Sequence, residues 1–289
     1  MVVPAHQGDG SGPEIPQLRP FLKWAGGKTR LLPKILPYVP DRFDDYHEPF
    51  LGGGAMFFAL RDRIDGIANL HDLNSQLTNV WQRVQQDPAG LLAAMNPFLK
   101  NDSEELYYAQ RTAEPPTLAE QAARFVYLNQ TSWNGLWRVN KWGQFNVPWG
   151  RRPFRGLDPE TVLRTADALV GASITAEDFR DTLRKPRTGD FVYLDPPYLP
   201  LSDTSKFYLY TERRFRAPDL GELADLCHEL TERGVLWMMS NRDTEEVRRL
   251  FPVNKIIRFT ARRSVAAQNR RDVEQADSPE ALVLCQGLG

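Results

Sequence analysis

The feature that most constrains this chain is a strand-and-helix alternation that stops, gives way to something else, and then resumes. Over residues 45–75 the order is strand (46–50), a turn through Gly52, Gly53 and Gly54, a helix (55–61) and a short apolar strand (67–71). That is the opening unit of a doubly wound α/β sheet, because two parallel strands need a helical crossover between them. Residues 76–158 differ. Helical stretches at 77–86, 104–110 and 118–129 lead into an aromatic, basic, Gly/Asn-rich stretch at 131–150 with weak strand periodicity. From residue 160 the alternation returns. A buried-type strand at 190–194 ends at Asp195, and an amphipathic helix at 219–233 carries Leu220, Leu223, Leu226, Cys227 and Leu230 on one stripe. Apolar strands follow at 235–240 and 281–285. The pattern predicts one α/β domain split in sequence (20–75 and 159–289) around a mostly helical insertion (76–158). The first 19 residues, rich in Gly, Pro and polar side chains, read as a mobile tail without the apolar stretch of a signal peptide.

Composition narrows the class. Hydrophobic residues at 42% and charged residues at 25% are ordinary for a globular chain, and no apolar run approaches the length needed to span a bilayer. Cys227 and Cys285 stand apart from any Cys/His cluster. This disfavours a disulfide framework or a structural zinc site and suits a reducing cytosol, so no metal is expected. The net charge of −1 conceals an uneven distribution. Residues 121–156 hold Arg124, Arg138, Lys141, Arg151, Arg152 and Arg155 and no acid, and a second group comprises Arg258, Arg262, Arg263, Arg270 and Arg271. Either group alone also suits a solvated face; distribution is what matters for nucleic acid.

Four motifs carry chemistry. In Glu48-Pro49-Phe50-Leu51-Gly52-Gly53-Gly54, a glycine turn between strand and helix admits a ligand close to the backbone. The glycines alone also suit a plain tight turn. Asp72, 20 residues beyond Gly52 and directly after a strand, is where a carboxylate accepts from both ribose hydroxyls, so a nucleoside cofactor is the better reading. In the segment 21–29, Gly27-Lys28-Thr29 invites a phosphate-loop reading. That motif requires glycine at position 22, which is Leu22. Trp24 and Lys28 are better explained as an aromatic wall and a cation facing a zwitterionic ligand; without the other motifs they would be a core Trp and a surface Lys.

Asp195-Pro196-Pro197-Tyr198 is the sharpest motif. An amino group conjugated to a purine is a poor nucleophile. A carboxylate and a backbone carbonyl accepting its two N–H groups draw that nitrogen toward tetrahedral geometry. Pro196 and Pro197 stiffen the loop, and Tyr198 can stack on an extruded base. The bland alternative is a rigid Pro-Pro turn with a half-buried Tyr. The fourth motif interleaves Asn129, Gln130, Trp133, Asn134, Leu136, Trp137, Arg138, Asn140, Lys141 and Trp142. Cations and amides that read base edges, with an aromatic wedge, fit duplex DNA, although an aromatic subcore with surface arginines is also possible.

On these residues the chain resembles the Dam-type (D12 class) DNA adenine N6-methyltransferases from about Arg19 to Leu284. Residues 21–28 look like the family's N-terminal cofactor motif, Glu48 to Gly54 like its FxGxG motif and His71-Asp72-Leu73-Asn74 like its ribose-binding acid. Residues 134–150 are similar to its NGL-x-R-x-N…G-x-FNVP-x-G recognition stretch, and Asp195 to Tyr198 to its catalytic DPPY. The order is that of the family's α group. The resemblance implies a Rossmann-like S-adenosylmethionine-dependent sheet with an inserted target-recognition domain. It implies S-adenosylmethionine contacts by Trp24, Lys28, Phe50, Gly52, Gly54, Asp72 and Asp195, and more loosely by Asp178 and Phe179. DNA contacts are implied for Lys23 and Arg138, at positions that read GATC-like sites; the basic, amide- and aromatic-rich stretch itself adds Arg124, Asn129, Trp133, Asn134, Leu136, Asn140 and Lys141 as expected DNA contacts. Relatives usually carry Tyr or Phe where this chain has Trp133, and Trp137 and Trp142 add bulk nearby. The expected partners are double-stranded DNA and, in a restriction–modification setting, a cognate endonuclease; the expected form is a cytoplasmic monomer. The rivals are a cytosine-N4 or RNA adenine methyltransferase, disfavoured by Asp opening the tetrapeptide and by the insertion, a non-catalytic DNA-binding module, and a nucleotide hydrolase.

Overall fold

The computed structural model describes residues 18–140, 142–199, 215–262 and 277–288. Most of the expected tail, residue Lys141 and the basic residues Arg263, Arg270 and Arg271 lie outside the described residues. A seven-stranded sheet in the order β3-β2-β1-β4-β5-β7-β6 organises the molecule. Its strands are β1 (Tyr46–Glu48), β2 (Ala68–His71), β3 (Ser173–Thr175), β4 (Phe191–Leu194), β5 (Leu236–Arg242), β6 (Lys255–Arg262) and β7 (Asp277–Leu284). β3, β2, β1, β4 and β5 are parallel; β7 lies antiparallel between β5 and β6. This is the α/β sheet that the alternation predicts, with one antiparallel strand near its edge.

Continuous apolar runs mark strands covered on both faces, and β4 shows why. Its four residues are all buried. Because successive side chains point to opposite faces, Phe191 and Tyr193 join the larger core with Tyr46, Leu70 and Met238. Val192 and Leu194 enter the second core with Trp237, Met239 and Val283. The second core is closed by the helix Ala217–Glu232, whose stripe of Leu220, Leu223, Leu226, Cys227 and Leu230 is buried as its spacing requires.

The larger face is covered by helices from the middle of the chain. Asn74 caps the helix Ser75–Gln86 by accepting from Gln76 N and Leu77 N. The helix Leu118–Thr131, opened by a Thr117–Glu120 capping box, packs against it. Gln82 Nε2 donates to Ile174 O, and Gln85 Nε2 to Leu169 O and Ala172 O. The helix Ser75–Gln86 is thereby tied to the β3 edge of the sheet, although it spans the expected boundary at residue 76. Two further helices, Pro88–Ala94 and Asn96–Asn101, and the edge strands β3 and β6 were not anticipated. The sequence between Thr29 and Leu36, with Pro37 and Pro40 punctuating its end, predicts a short helix, and in the structure that helix is broken. A 3-10 turn (Lys28–Arg30), four helical residues (Leu32–Ile35) and a second 3-10 turn (Leu36–Tyr38) replace it, because Pro33 and Pro37 interrupt the ladder. Among the described residues no helix is long and apolar enough to cross a membrane.

Candidate active site

The strand order reverses between β1 and β4, since β1 leads outward to β2 and β3 while β4 leads outward to β5. Ligands of open α/β sheets lie at that switch point, outside the carboxyl ends of the strands. Here β1 ends in Glu48 and runs into Phe50 and the glycine turn, Asp72 directly follows β2, and Asp195 directly follows β4. Three sequence motifs are thus brought to one end of the sheet by strand pairing alone.

The glycine turn is built against Trp24. Gly52 has φ 49°, and a Cβ there would stand 2.7 Å from Trp24 Cδ1, so the indole lies on the bare backbone. Trp24 stacks in turn on Phe125 at 6.2 Å between ring centroids. Gly52 N donates to Asp72 Oδ2 at 3.0 Å and Asn74 N to Asp72 Oδ1 at 2.9 Å. Burial pushes the Asp72 carboxyl up to about 6, against the pull of those two donors. Gly54, at φ 75°, opens the helix Ala55–Leu60.

Lys28 joins this turn to the tetrapeptide. It is only 4% exposed, and its Nζ lies 2.6 Å from both Asp195 oxygens and 2.7 Å from Gly26 O. Ser240, on β5, donates to Asp195 Oδ1 at 3.1 Å, and the Tyr193 hydroxyl lies 2.9 Å from Ser240 Oγ. An ionised carboxylate only accepts, so Ser240 donates to it and Tyr193 donates to Ser240. Burial raises the Asp195 carboxyl above its ordinary range; Lys28 and then Ser240 oppose that rise. Glu48, 3% exposed, takes the Tyr46 hydroxyl at 2.9 Å. Its carboxyl is pushed well up by burial, with the charges of Asp195 and Asp72 adding to the rise. Tyr198 donates to Glu280 Oε2 on β7 at 2.6 Å.

An apolar wall completes the end of the sheet. Asp178 caps the short helix Phe179–Thr182 and ion-pairs with Arg180, which also bonds Asp219 and Glu222. Phe179 is buried, with its ring centroid 5.6 Å from that of Phe50. The donor set suits an adenosyl group with a zwitterionic tail. Asp72 offers acceptors for hydroxyls, the glycine turn leaves room, aromatic faces flank it, and Lys28 and Asp195 offer opposite charges.

The expected DNA residues divide. Trp133 is half exposed beside Asn134, which takes a left-handed φ of 55°. Leu136 is partly buried. Arg138 donates through Nε to Asn146 Oδ1 at 2.7 Å and through Nη2 to Asn146 O at 3.1 Å. Asn140 bonds Gln144 and the Trp142 amide. Lys23 sits beside this turn, for a Cβ on Gly135 would stand 2.6 Å from Lys23 Cδ. With Phe21, Gln130, Arg152 and Arg155, Lys23 lines a surface cleft of about 430 Å³. Its ammonium is lowered by burial and then by Arg152.

Three expectations are corrected. Arg124 is buried and bonds Gln110 O, Arg111 O and Gln76 Oε1, so its guanidinium ties three helices together inside the protein instead of facing solvent. Asn129 is fully buried. Its amide pairs with Lys23 N and O at 3.0 and 2.7 Å, so it holds the Lys23 backbone instead of meeting DNA. Trp137 stacks on Phe125 at 3.8 Å inside the core, so its bulk is not at the surface; Trp142 is 66% exposed. Sequence reasoning missed Ser240, Tyr193 and Glu280 and gave Glu48 no role. Only Glu48 carried a signal, as an acid ending an apolar strand before the glycine turn.

Residues 24–265 match the family model described as D12 class N6 adenine-specific DNA methyltransferase. The chain is 37% identical over 251 residues to the Type II methyltransferase M1.LlaDCHI of Lactococcus lactis subsp. cremoris, covering 83% of this chain and 87% of that protein. It is 36% identical over 257 residues to the DNA adenine methylase of Serratia marcescens, covering 86% and 92%. Over 244 residues it is 35% identical to the Type II methyltransferase M.MjaIII of Methanocaldococcus jannaschii, covering 78% and 84%.

Proposed function

The chain belongs to the D12 class of N6 adenine-specific DNA methyltransferases, and on that premise we propose how its own residues carry out the reaction and on what site. The methyl donor is S-adenosylmethionine, which supplies an electrophilic methyl group on a sulfonium. Asp72 accepts its ribose hydroxyls, Trp24, Phe50 and Phe179 flank it, and Gly52 and Gly54 let it approach the backbone. Asp178 holds the Phe179 turn through its cap and its pair with Arg180.

The target adenine leaves the helix and presents N6 to the tetrapeptide. Asp195 accepts one N–H and the Pro196 carbonyl the other, with Pro197 stiffening the loop, so the nitrogen lone pair is freed for in-line attack. Positive charge grows on N6 as the bond forms, and the carboxylate stabilises it in a water-poor pocket. Lys28 at 2.6 Å and Ser240 at 3.1 Å favour an ionised Asp195. A carboxylate offers about four lone-pair sites, so Asp195 keeps one for an incoming N–H beside its bonds to Lys28 and Ser240; Lys28 would also suit the donor's carboxylate. The methylated nitrogen then loses a proton to solvent, and no covalent enzyme intermediate is involved.

Recognition falls to residues 76–158, taken as the target-recognition domain. Trp133 fills the vacated stack beside Asn134 and Leu136, Arg138 and Asn140 read base edges, and Lys23 works with Lys141. The site proposed is GATC-like, on duplex DNA. Two relatives carry Type II names, so a restriction endonuclease acting on the same site is the proposed functional partner of a monomeric, cytoplasmic enzyme. The observation that carries the reading is the Lys28–Asp195–Ser240 assembly at the switch point, one turn away from Trp24 and Asp72. The test exposes unmethylated duplex DNA to protein and S-adenosylmethionine and maps modified adenines by sequencing. Methyl groups at one short adenine-containing sequence, lost in Asp195→Ala with DNA affinity little changed, are expected. Turnover by Asp195→Ala close to that of the wild type refutes the catalytic role.

A further inference from the structure

Glu280 is a carboxylate at the heart of a strand that carries none of the motifs. It is 4% exposed, and the four residues that follow it, from Ala281 to Leu284, are core. Burying an acid costs several kcal/mol unless partners compensate, and an apolar residue would serve a strand interior at less cost. One of its partners is the last residue of the tetrapeptide, since the Tyr198 hydroxyl donates to Glu280 Oε2 at 2.6 Å. Burial and the charges of Asp195 and Glu280 raise the Tyr198 phenol well above its ordinary value, so it stays a donor.

The surroundings show a grip on the ring as well as a single bond. β5 and β7 pair with Arg242 opposite Glu280. The Arg242 guanidinium lies 5.8 Å from the Tyr198 ring centroid and donates to Leu199 O at 3.4 Å, while Lys28 Nζ lies 5.3 Å from the same ring. A tyrosine fixed only at Cα turns through a broad second side-chain torsion. Fixing its distal oxygen as well removes that freedom.

We propose that Glu280 is a positioning residue of the methyl-transfer reaction, one that fixes the plane of the Tyr198 ring so that it is ready to stack on the extruded adenine. The proposal rests on the reading of Tyr198 as the stacking residue. Holding a reacting base within a few tenths of an ångström requires side chains locked by a second layer of hydrogen bonds. Here the antiparallel strand β7, lodged in an otherwise parallel sheet, supplies that layer.

The test combines steady-state methylation of a one-site duplex with fluorescence of a duplex carrying 2-aminopurine at the target position. Glu280→Ala and Tyr198→Phe are each expected to lower kcat about tenfold, the scale of one hydrogen bond to a charged group, with KM for S-adenosylmethionine within about twofold of wild type. Both raise the fluorescence of the extruded 2-aminopurine, because stacking on the phenol no longer quenches it. The double variant is no slower than either single one, since both break the same bond. Glu280→Gln, which keeps an acceptor, recovers most of the rate; should Glu280→Ala not fold, a Glu280→Gln rate well above that of Tyr198→Phe supports the proposal and an equal rate overturns it. Losses that multiply in the double variant, or wild-type turnover in Glu280→Ala and Tyr198→Phe, overturn the proposal. Tyr198→Ala separates the two ideas. If it turns over normally, the stacking role and the positioning role both fall. If it is slow while Glu280→Ala and Tyr198→Phe are normal, only the positioning role falls.

Discussion

Replacing Lys28 by Met leaves the Asp195 carboxylate without its cation, and the structure fixes the size and the sign of the effect. At 2.6 Å the pair attracts by about 6 kcal/mol at an effective dielectric of about 20. Desolvating two ions offsets most of that, so the intact pair contributes little net stability. Removing one partner alone is different, because the desolvation cost of the other remains, typically about 3–5 kcal/mol. The Asp195 side chain is 20% exposed, which places the loss at the lower end, about 3 kcal/mol at neutral pH. The Asp195 carboxyl already sits above its ordinary 3.8 because burial disfavours the charge, and Lys28 is the main force holding it down. A carboxyl raised on folding favours the folded state below its unfolded value and loses that contribution as pH rises through its folded value. Without Lys28 the folded value rises further, so Lys28→Met falls increasingly behind wild type as pH climbs from about 5 to 8, and the gap narrows toward pH 4. Urea unfolding midpoints measured across that range read this directly. Adding Asp195→Asn to Lys28→Met recovers most of the loss, since no buried charge remains. A deficit that is the same at pH 5 and pH 8, or a double variant as unstable as the two single losses added, refutes the reasoning.

Asp72 titrates near 6 because it is buried, so affinity for S-adenosylmethionine should weaken as pH falls below that value and the carboxylate stops accepting from both ribose hydroxyls. Calorimetry of Asp72→Asn should show affinity about tenfold weaker and flat with pH; a flat wild-type profile from pH 5 to 7.5 counts against the assignment. Arg138→Ala should relax sequence choice by about 1–3 kcal/mol at one base pair, read as the rate ratio between cognate and singly substituted duplexes. Asn146→Ala, which removes the side-chain oxygen holding Arg138 Nε, should relax it in the same direction by less.

What could be read in the sequence was local. The glycine turn, the helix after it and Asp72 fall within one crossover unit, and their spacing alone places the acid at the tip of β2. The strand before Asp195 is four consecutive core residues bounded by turn formers. By contrast, β6 and β7 meet through non-local antiparallel pairing. β7 begins Asp277-Ser278-Pro279, which reads as loop, and β6 carries Lys255, Arg258 and Thr260 at the sheet edge. Ser240 and Glu280 are invisible for the same reason, since each matters only because of the strand beside it. Arg124 failed in another way. A count of cations cannot separate a guanidinium facing solvent from one consumed by the carbonyls of Gln110 and Arg111, and that distinction exists only once the two helices pack.

The long excursion between β2 and β4 makes the constancy of the site a matter of strand pairing. More than a hundred residues separate Asp72 from Asp195, yet the turn after β1 and the loop after β4 spring from neighbouring strands in register, Tyr46 against Phe191 and His47 against Val192. Hydrogen-bonded strands lie about 4.8 Å apart, and a slip of one residue displaces a strand end by about 3.3 Å and turns every side chain to the other face. Such a slip would send Phe191 and Tyr193 out of the larger core and Val192 and Leu194 into it, and it would carry Asp195 away from Lys28. The two cores therefore enforce the register, and the register sets the distance between the cofactor turn and the acid. The chain between β2 and β4 can vary without loosening the chemistry, because the pairing of β1 with β4, and not that length, sets the spacing of the two groups that must meet.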